Sequence, residues 1–329
     1  MTKRISIISP CYNEELNVRQ CQAAIVELFK KELPGYEREH IFADNASTDR
    51  TVEILREIAA TDPGVKVIVN ARNVGPLRST FNALNAATGD AILVMMAVDM
   101  QDPPELIATF VRHWEEGHMV VQGVRVDRDE GAVMHAVRRL YYRMVRAFAD
   151  IDIPADVGEF QLIDRRVLDA ITNIDDYNPY IRGLIASTGF APYPVHYKWR
   201  ARARGFSKNR LFTLIDIGLN GLLSFTRAPI RLLSVFGLAI AVLSILYAIV
   251  NLIWVLVLPA GSVAPGISTM IVAIFFFAGI QLLFLGILGE YILSIHHQVR
   301  FGGRVVERER INFDEPPEPK SKRSRSGQR

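Results

Sequence analysis

The chain has 329 residues, half of them apolar and 22% charged, with a formal net charge of only +3. That length holds one large domain or two ordinary ones, and the composition excludes a disordered chain, a collagen-like repeat and a disulfide scaffold. So small a charge gives no reason to expect a nucleic-acid partner, and the two cysteines, Cys11 and Cys21, point to a reducing compartment rather than a structural disulfide.

The first residues run straight into the apolar stretch 5–9. They lack the charged leader, long apolar core and small-residue cleavage site of a secretory signal, so the N-terminal region is expected to stay in the cytoplasm. From there short apolar runs at 5–9, 40–43, 65–69 and 91–96 alternate with helical stretches beginning near 16, 51 and 77. The alternation predicts βαβ units and a mainly parallel sheet covered by helices on both faces. In an open parallel sheet ligands bind beyond the carboxyl ends of the strands. Those ends carry Tyr12, Asn13 and Glu14, then Asp44 and Asn45, then Arg72 and Asn73, then Asp99 and Gln101. Four acid or amide clusters at four successive strand ends predict one polar site.

Over 133–149 apolar residues recur at helix spacing, with Arg138, Arg139, Arg143 and Arg146 between them. Such a helix lies in a membrane interface or presents a basic, solvated face while packing on its own domain. Residues 232–258 contain no charge, and 267–295 contain only Glu290. Each stretch exceeds the roughly 20 residues needed to cross a hydrocarbon core. The first would be about 40 Å long as a helix, so it must tilt or run into the headgroups. The connection between them is short and uncharged, whereas Arg227 and Arg231 precede the pair and Arg300, Arg304, Arg308 and Arg310 follow it. The positive-inside rule then puts both termini in the cytoplasm. The end of the chain, from Pro316, is rich in Pro, Ser, Lys and Arg. It is expected to be disordered, either touching anionic lipid or doing nothing specific.

Four segments in order carry a resemblance: Ser9-Pro10-Cys11-Tyr12-Asn13-Glu14-Glu15, Ala43-Asp44-Asn45-Ala46-Ser47-Thr48-Asp49, Arg72-Asn73-Val74-Gly75 and Asp99-Met100-Gln101-Asp102-Pro103-Pro104-Glu105. Further on stand Asp156-Val157-Gly158-Glu159-Phe160-Gln161-Leu162, then Arg202 with Gly205, Ser207 and Lys208, and Gly289-Glu290-Tyr291 near the end of the second apolar stretch. The chain resembles the family 2 glycosyltransferases that load a sugar onto polyprenyl phosphate, including dolichyl-phosphate mannose synthases and bactoprenol-phosphate glucosyltransferases. The likeness runs through nearly the whole chain. It implies an α/β fold: a cytoplasmic GT-A domain (Rossmann-like, mainly parallel sheet) over 1–209, a juxtamembrane amphipathic helix over 210–231, a two-helix transmembrane anchor over 232–295 and a cytoplasmic tail over 296–329.

The resemblance also implies roles. Pro10, Tyr12, Asn13, Glu14, Asp44 and Asn73 would hold the nucleotide. Asp99 and Gln101 would hold Mg²⁺ or Mn²⁺ by hard oxygen atoms, where the metal offsets charge on the diphosphate leaving group. Arg202, Ser207 and Lys208 would meet the donor diphosphate or the lipid phosphate. Asp156 matches the acid near the acceptor, where it acts as base, acceptor orienter or metal-site residue; a helix N-cap is the structural alternative. Arg138, Arg139, Arg143 and Arg146 would draw the anionic head group.

Three residues depart from the family pattern: Ala97 replaces the first acid of Asp-x-Asp, Asn45 the second acid after the second strand, and Gln161 a common Arg. The expected activity is inverting, metal-dependent transfer from a nucleotide sugar, UDP-linked, to polyprenyl phosphate for cell-envelope glycans. The protein is expected in the inner or plasma membrane, against membrane lipids and as a homo-oligomer. One alternative is a polysaccharide synthase of the same superfamily, disfavoured by two spans and the lack of a Gln-x-x-Arg-Trp segment. The other, motivated by Ala97 and Asn45, is a non-catalytic, membrane-anchored sugar-nucleotide-binding protein.

Overall fold

The computed structural model describes residues 2–126, residues 157–200 apart from 175, 178 and 199, positions within 235–253, and residues 267–301 and 305–313. Its elements run β1 (Arg4–Cys11), α1 (Val18–Glu32), β2 (Glu37–Asp44), α2 (Thr51–Thr61), β3 (Val65–Asn70), α3 (Pro76–Leu84) and β4 (Ala91–Leu93). They continue with α4 (Leu106–Glu115), β5 (Val120–Val126), β6 (Val157–Asp164), α5 (Arg165–Thr172), α6 (Ile181–Ser187), β7 (Pro192–Lys198), α7 (Ile267–Phe301) and β8 (Glu307–Ile311).

All eight strands join one sheet in the order β7-β5-β6-β4-β1-β2-β3-β8. The pairs β1–β2, β1–β4, β2–β3 and β5–β7 are parallel; β6 and β8 run antiparallel to their neighbours. The four strands read from sequence therefore form a Rossmann-like 3-2-1-4 half-sheet. Ile5, Ile7 and Ile8 of β1 are fully buried because helices cover both faces, which is why such strands read as continuous apolar runs. One face packs on Ile25 and Phe29 of α1 and Phe110 of α4, with Leu55 of α2 alongside. The other packs on Phe81 and Leu84 of α3, Leu168 of α5 and Leu184 of α6. In α1 the buried positions are Val18, Cys21, Ile25, Leu28 and Phe29, the three- and four-residue spacing of an amphipathic helix. Cys11 and Cys21 are both buried and free.

β4 stops at Leu93, short of the expected 91–96, because beyond it the chain divides its bonds. Val94 donates to the Gln161 carbonyl at 2.8 Å, toward β6, and Met96 to the Ile8 carbonyl at 2.7 Å, toward β1. Away from the site edge, buried Glu39 accepts from Ser6 Oγ, from Lys66 Nζ at 2.7 Å and from the Thr88 amide at 2.8 Å, fastening β1, β2, β3 and the approach to β4. These hydrogen bonds outweigh the upward pull of burial and hold the Glu39 carboxyl below its ordinary value.

β8 is an element the sequence reading left inside a tail. It pairs with β3, while Arg56 of α2 meets Glu309 at 2.5 Å and Asn82 of α3 donates to Glu307 at 2.7 Å. A strand reading Glu-Arg-Glu-Arg-Ile has no apolar alternation to detect; an ion pair to α2 and a hydrogen bond from α3 take the place of that pattern.

α7 is long and apolar enough to cross a membrane, the one such helix among the described residues. Phe276, Leu282, Leu285 and Ile292 stand exposed on it. Of the other expected span, the described residues within 235–253 are helical, and Phe236 meets Phe284 of α7 with ring centroids 6.4 Å apart. The rest of that span lies outside the described residues. Only residues 302–306 separate α7 from β8, and Gln298 near the helix end accepts a hydrogen bond from the Tyr177 amide at 2.8 Å. The end of α7 is thus linked to the loop between α5 and α6 and, through the chain, to β8.

Candidate functional site

The carboxyl ends of β1, β2 and β4 each carry a non-glycine residue in the left-handed region: Asn13 (φ 54°), Ala46 (φ 61°) and Met100 (φ 53°). Asn tolerates that conformation, but Ala and Met do not favour it, at a cost of order 1 kcal/mol each. Three of the four such residues among the described ones stand at this end of the sheet; the fourth, Asn312 (φ 60°), donates to the Val65 carbonyl at the other end.

The loops after β1 and β2 interlock. The Asn13 amide donates to Ser47 Oγ at 2.9 Å, and its Oδ1 accepts from the Thr48 amide at 2.8 Å. The Glu14 amide donates to Thr51 Oγ1 at 2.8 Å, and Glu14 Oε2 accepts from Asn17 Nδ2 at 2.5 Å. Asp44 has no exposed surface and accepts from both the amide and the hydroxyl of Ser47. Burial raises its pKa, opposed by those two bonds and by the positive charge of Arg308. Asn13, Glu14 and Asp44 therefore build the loops, and Asp44 does so from beneath the surface. Pro10 and Tyr12 sit half-buried at the end of β1.

Asn45 extends the edge toward β3. Its Nδ2 donates to Asn73 Oδ1 at 2.9 Å, and its Oδ1 accepts from the Val74 amide at 2.9 Å and from Asn70 Nδ2 at 3.4 Å. The departure from an acid at this position thus has a local reason, since an amide both donates and accepts here and a carboxylate cannot donate. Asn70 is a member of this network that sequence reasoning missed; it closes β3 and stands just outside the Arg72-Asn73-Val74-Gly75 segment.

At the end of β4, half-buried Asp99 accepts from the Gln101 amide at 3.3 Å, and Gln101 in turn exchanges bonds with Arg200, whose amide donates to the Gln101 carbonyl at 3.0 Å. Directly behind, buried Asp102 accepts from Arg125 at 3.1 Å and from the Tyr197 hydroxyl. Burial and the Asp102 charge push the Tyr197 phenol well up, so it stays protonated and donating. This triad joins three distant segments at one point: the loop of Asp99, the strand leading to 127–156, and the strand leading to 201–208. Its partners lie 23 and 95 residues apart in sequence, so no local signal announces it.

No group of three or more His, Cys, Asp or Glu able to hold a metal occurs among the described residues. Asp99 and Gln101 offer a carboxylate and an amide oxygen two residues apart, hard donors of the kind that Mg²⁺ takes alongside waters and phosphate oxygens. Gln161, expected as a departure, is wholly buried, donating to the Gly158 carbonyl at 2.7 Å and accepting from Gln122 at 3.2 Å. In this chain the position is a neutral core pair between β5 and β6. Asp156, Arg202, Ser207, Lys208 and the arginines 138, 139, 143 and 146 lie outside the described residues.

Comparison with known proteins gives the family. Residues 6–172 match the family model described as glycosyl transferase family 2. The uncharacterized glycosyltransferase YkcC of Bacillus subtilis is 36% identical over 90% of this chain and 90% of its own length. The SfII prophage-derived bactoprenol glucosyl transferase of Shigella flexneri is 32% identical over 90% of this chain and 95% of its own. A solved structure, glucosyl-3-phosphoglycerate synthase of Mycobacterium tuberculosis, is similar at 20% identity over 67% of this chain and 78% of that one, with a TM-score of 0.47. Nothing about the site rests on a likeness that distant. The family match spans half the sequence, and the relatives run along nine-tenths of it: the chain belongs to glycosyltransferase family 2.

Proposed function

We propose that this chain is a membrane-anchored, inverting glycosyltransferase that moves a sugar from a UDP-linked donor to polyprenyl phosphate on the cytoplasmic side of the membrane. The observation that carries the reading is the 32% identity to a protein named bactoprenol glucosyl transferase, which extends over 95% of that relative and so takes in the apolar segments as well as the strand-end motifs. The exposed apolar surface of α7 supports the anchor, since such a helix has no stable place in water. We assign 1–209 to the catalytic domain, 210–231 to a helix at the interface, 232–295 to two spans and the remainder to the cytoplasm.

In this reading Pro10, Tyr12, Asn13, Glu14, Asp44 and Asn73 shape the nucleotide end of the site. Asp99 and Gln101 hold Mg²⁺ or Mn²⁺, which when bound neutralises charge on the departing diphosphate. An acceptor phosphate oxygen attacks the anomeric carbon from the face opposite the leaving group, and the bond from that carbon to the diphosphate oxygen breaks, releasing UDP and inverting the centre. A phosphate monoester is already ionised near pH 7, so Asp156 orients the acceptor rather than removing a proton. Arg202, Ser207 and Lys208 hold phosphate, and Arg138, Arg139, Arg143 and Arg146 draw the lipid head group to the interface. Binding the acceptor where it already lies contributes through proximity.

The test is UDP release from UDP-sugars by the purified protein in detergent, with and without polyprenyl phosphate. Release should require the lipid and divalent metal, and Asp99→Ala should lower it about 10²- to 10³-fold, the size of loss seen when one stabilising contact to developing charge is removed. Lipid-independent release, or a fully active Asp99→Ala protein, contradicts the reading.

A further inference from the structure

β8 does more than cover the edge of β3. Val69 faces Glu309 and Asn70 faces Glu307, so the register slips by one residue and Arg308 is the extra, bulged position. Bulges re-aim a side chain and occur preferentially beside active sites. Among the described residues, the other charged residues of β8 are engaged: Glu307 with Arg310 at 2.7 Å and Glu309 with Arg56 at 2.5 Å. Arg308 is exposed, and no hydrogen bond or ion pair holds it among the described residues.

The register also says where this cation stands. Asp44 lies abreast of Val69, and Val69 of Glu309, so the bulge borders the row that ends in Asp44. The charge of Arg308 is felt at the Asp44 carboxyl, where it works against the upward pull of burial. Just beyond, the Ala71 amide donates to the Val306 carbonyl at 2.9 Å, which keeps the segment before Arg308 against the loop of Asn73. β8 is four strands from β4, roughly 19 Å at about 4.8 Å per strand. A donor whose diphosphate lies by Asp99 would therefore turn its nucleoside, not its phosphates, toward this edge.

We infer that Arg308, delivered to the site by the strand that follows the apolar helix, is a specificity residue for the donor nucleobase, its guanidinium donating to the 4-carbonyl of uracil. A guanidinium only donates. Placed at position 4, it therefore favours the 4-oxo edge of uracil over the 4-amino edge of cytosine. The inference rests on the UDP-linked reading above and adds a residue to it.

Calorimetric titration of UDP and CDP into the full-length protein in detergent with Mn²⁺ tests it. Wild type should prefer UDP. Arg308→Ala should weaken UDP by about tenfold, the scale of one charge-assisted hydrogen bond, while CDP changes less than twofold; Arg308→Lys should restore part of the preference. Lys3→Ala removes an exposed ion pair with Glu115 at the far end of the sheet and should leave both affinities as in wild type. Unchanged UDP affinity in Arg308→Ala, or equal weakening of UDP and CDP, overturns the assignment while the donor reading survives. Wild-type protein that binds no UDP overturns both.

Discussion

His40 shows how one residue's burial becomes a property that can be measured. It has no exposed surface, its Nε2 lies 2.9 Å from Ser9 Oγ, and burial, helped by the nearby charge of Arg38, lowers its pKa to about 3. The unfolded chain takes up a proton near pH 6.5 that the folded chain refuses, so this contribution to stability is present above pH 6.5 and is lost as pH falls toward 3. Between pH 7.5 and 5 the loss should be about 2 kcal/mol. Urea unfolding at the two pH values measures it, and His40→Gln should remove that part of the dependence; an unchanged slope in the variant would show that His40 is protonated when folded. The buried thiols carry the same physics in the other direction: burial raises Cys11 and pushes Cys21 up to about 12, which makes both poor nucleophiles near neutral pH.

At the scale of elements, the two ends of the sheet have separate jobs. Glu39 and Lys66 pair at 2.7 Å with both side chains largely buried, far along the strands from the site edge. Removing one partner leaves an uncompensated buried charge, so Glu39→Ala should cost about 3 kcal/mol or more in urea unfolding. UDP affinity of the folded fraction should stay as in wild type, and a large loss of affinity would show that the two ends are coupled. The same division explains what the sequence revealed. The first four strands and three helices were legible because each strand is buried on both faces and each helix on one, which writes the period directly into the apolar residues. The strand-end residues followed from that pattern alone, since a parallel sheet dictates which end binds. β5 to β7, β8 and the Asp102–Arg125–Tyr197 triad were not legible: they depend on antiparallel insertions, alternating charges and partners far apart in the chain. Asp99 was readable as an acid beyond the end of β4, whereas the left-handed turn at Met100 beside it was not.

For the whole molecule, the central feature is that a family 2 glycosyltransferase sheet and an exposed apolar helix are joined on both sides of a short connection. Gln298 binds the chain at Tyr177, and β8 binds β3 five residues after the helix ends. These two links keep the end of α7 with the domain that carries the strand ends, as the proposed acceptor at a membrane surface requires. The most direct measurement is to offer the purified protein, in detergent with Mn²⁺, radiolabelled UDP- and GDP-sugars together with polyprenyl phosphate, and to follow label into the organic phase. One UDP-sugar should give a lipid-linked product whose formation stops with a chelator and in the Asp99→Ala protein. Label that stays in the aqueous phase with every donor, while UDP still binds, would contradict it and would make the chain a sugar-nucleotide-binding protein instead.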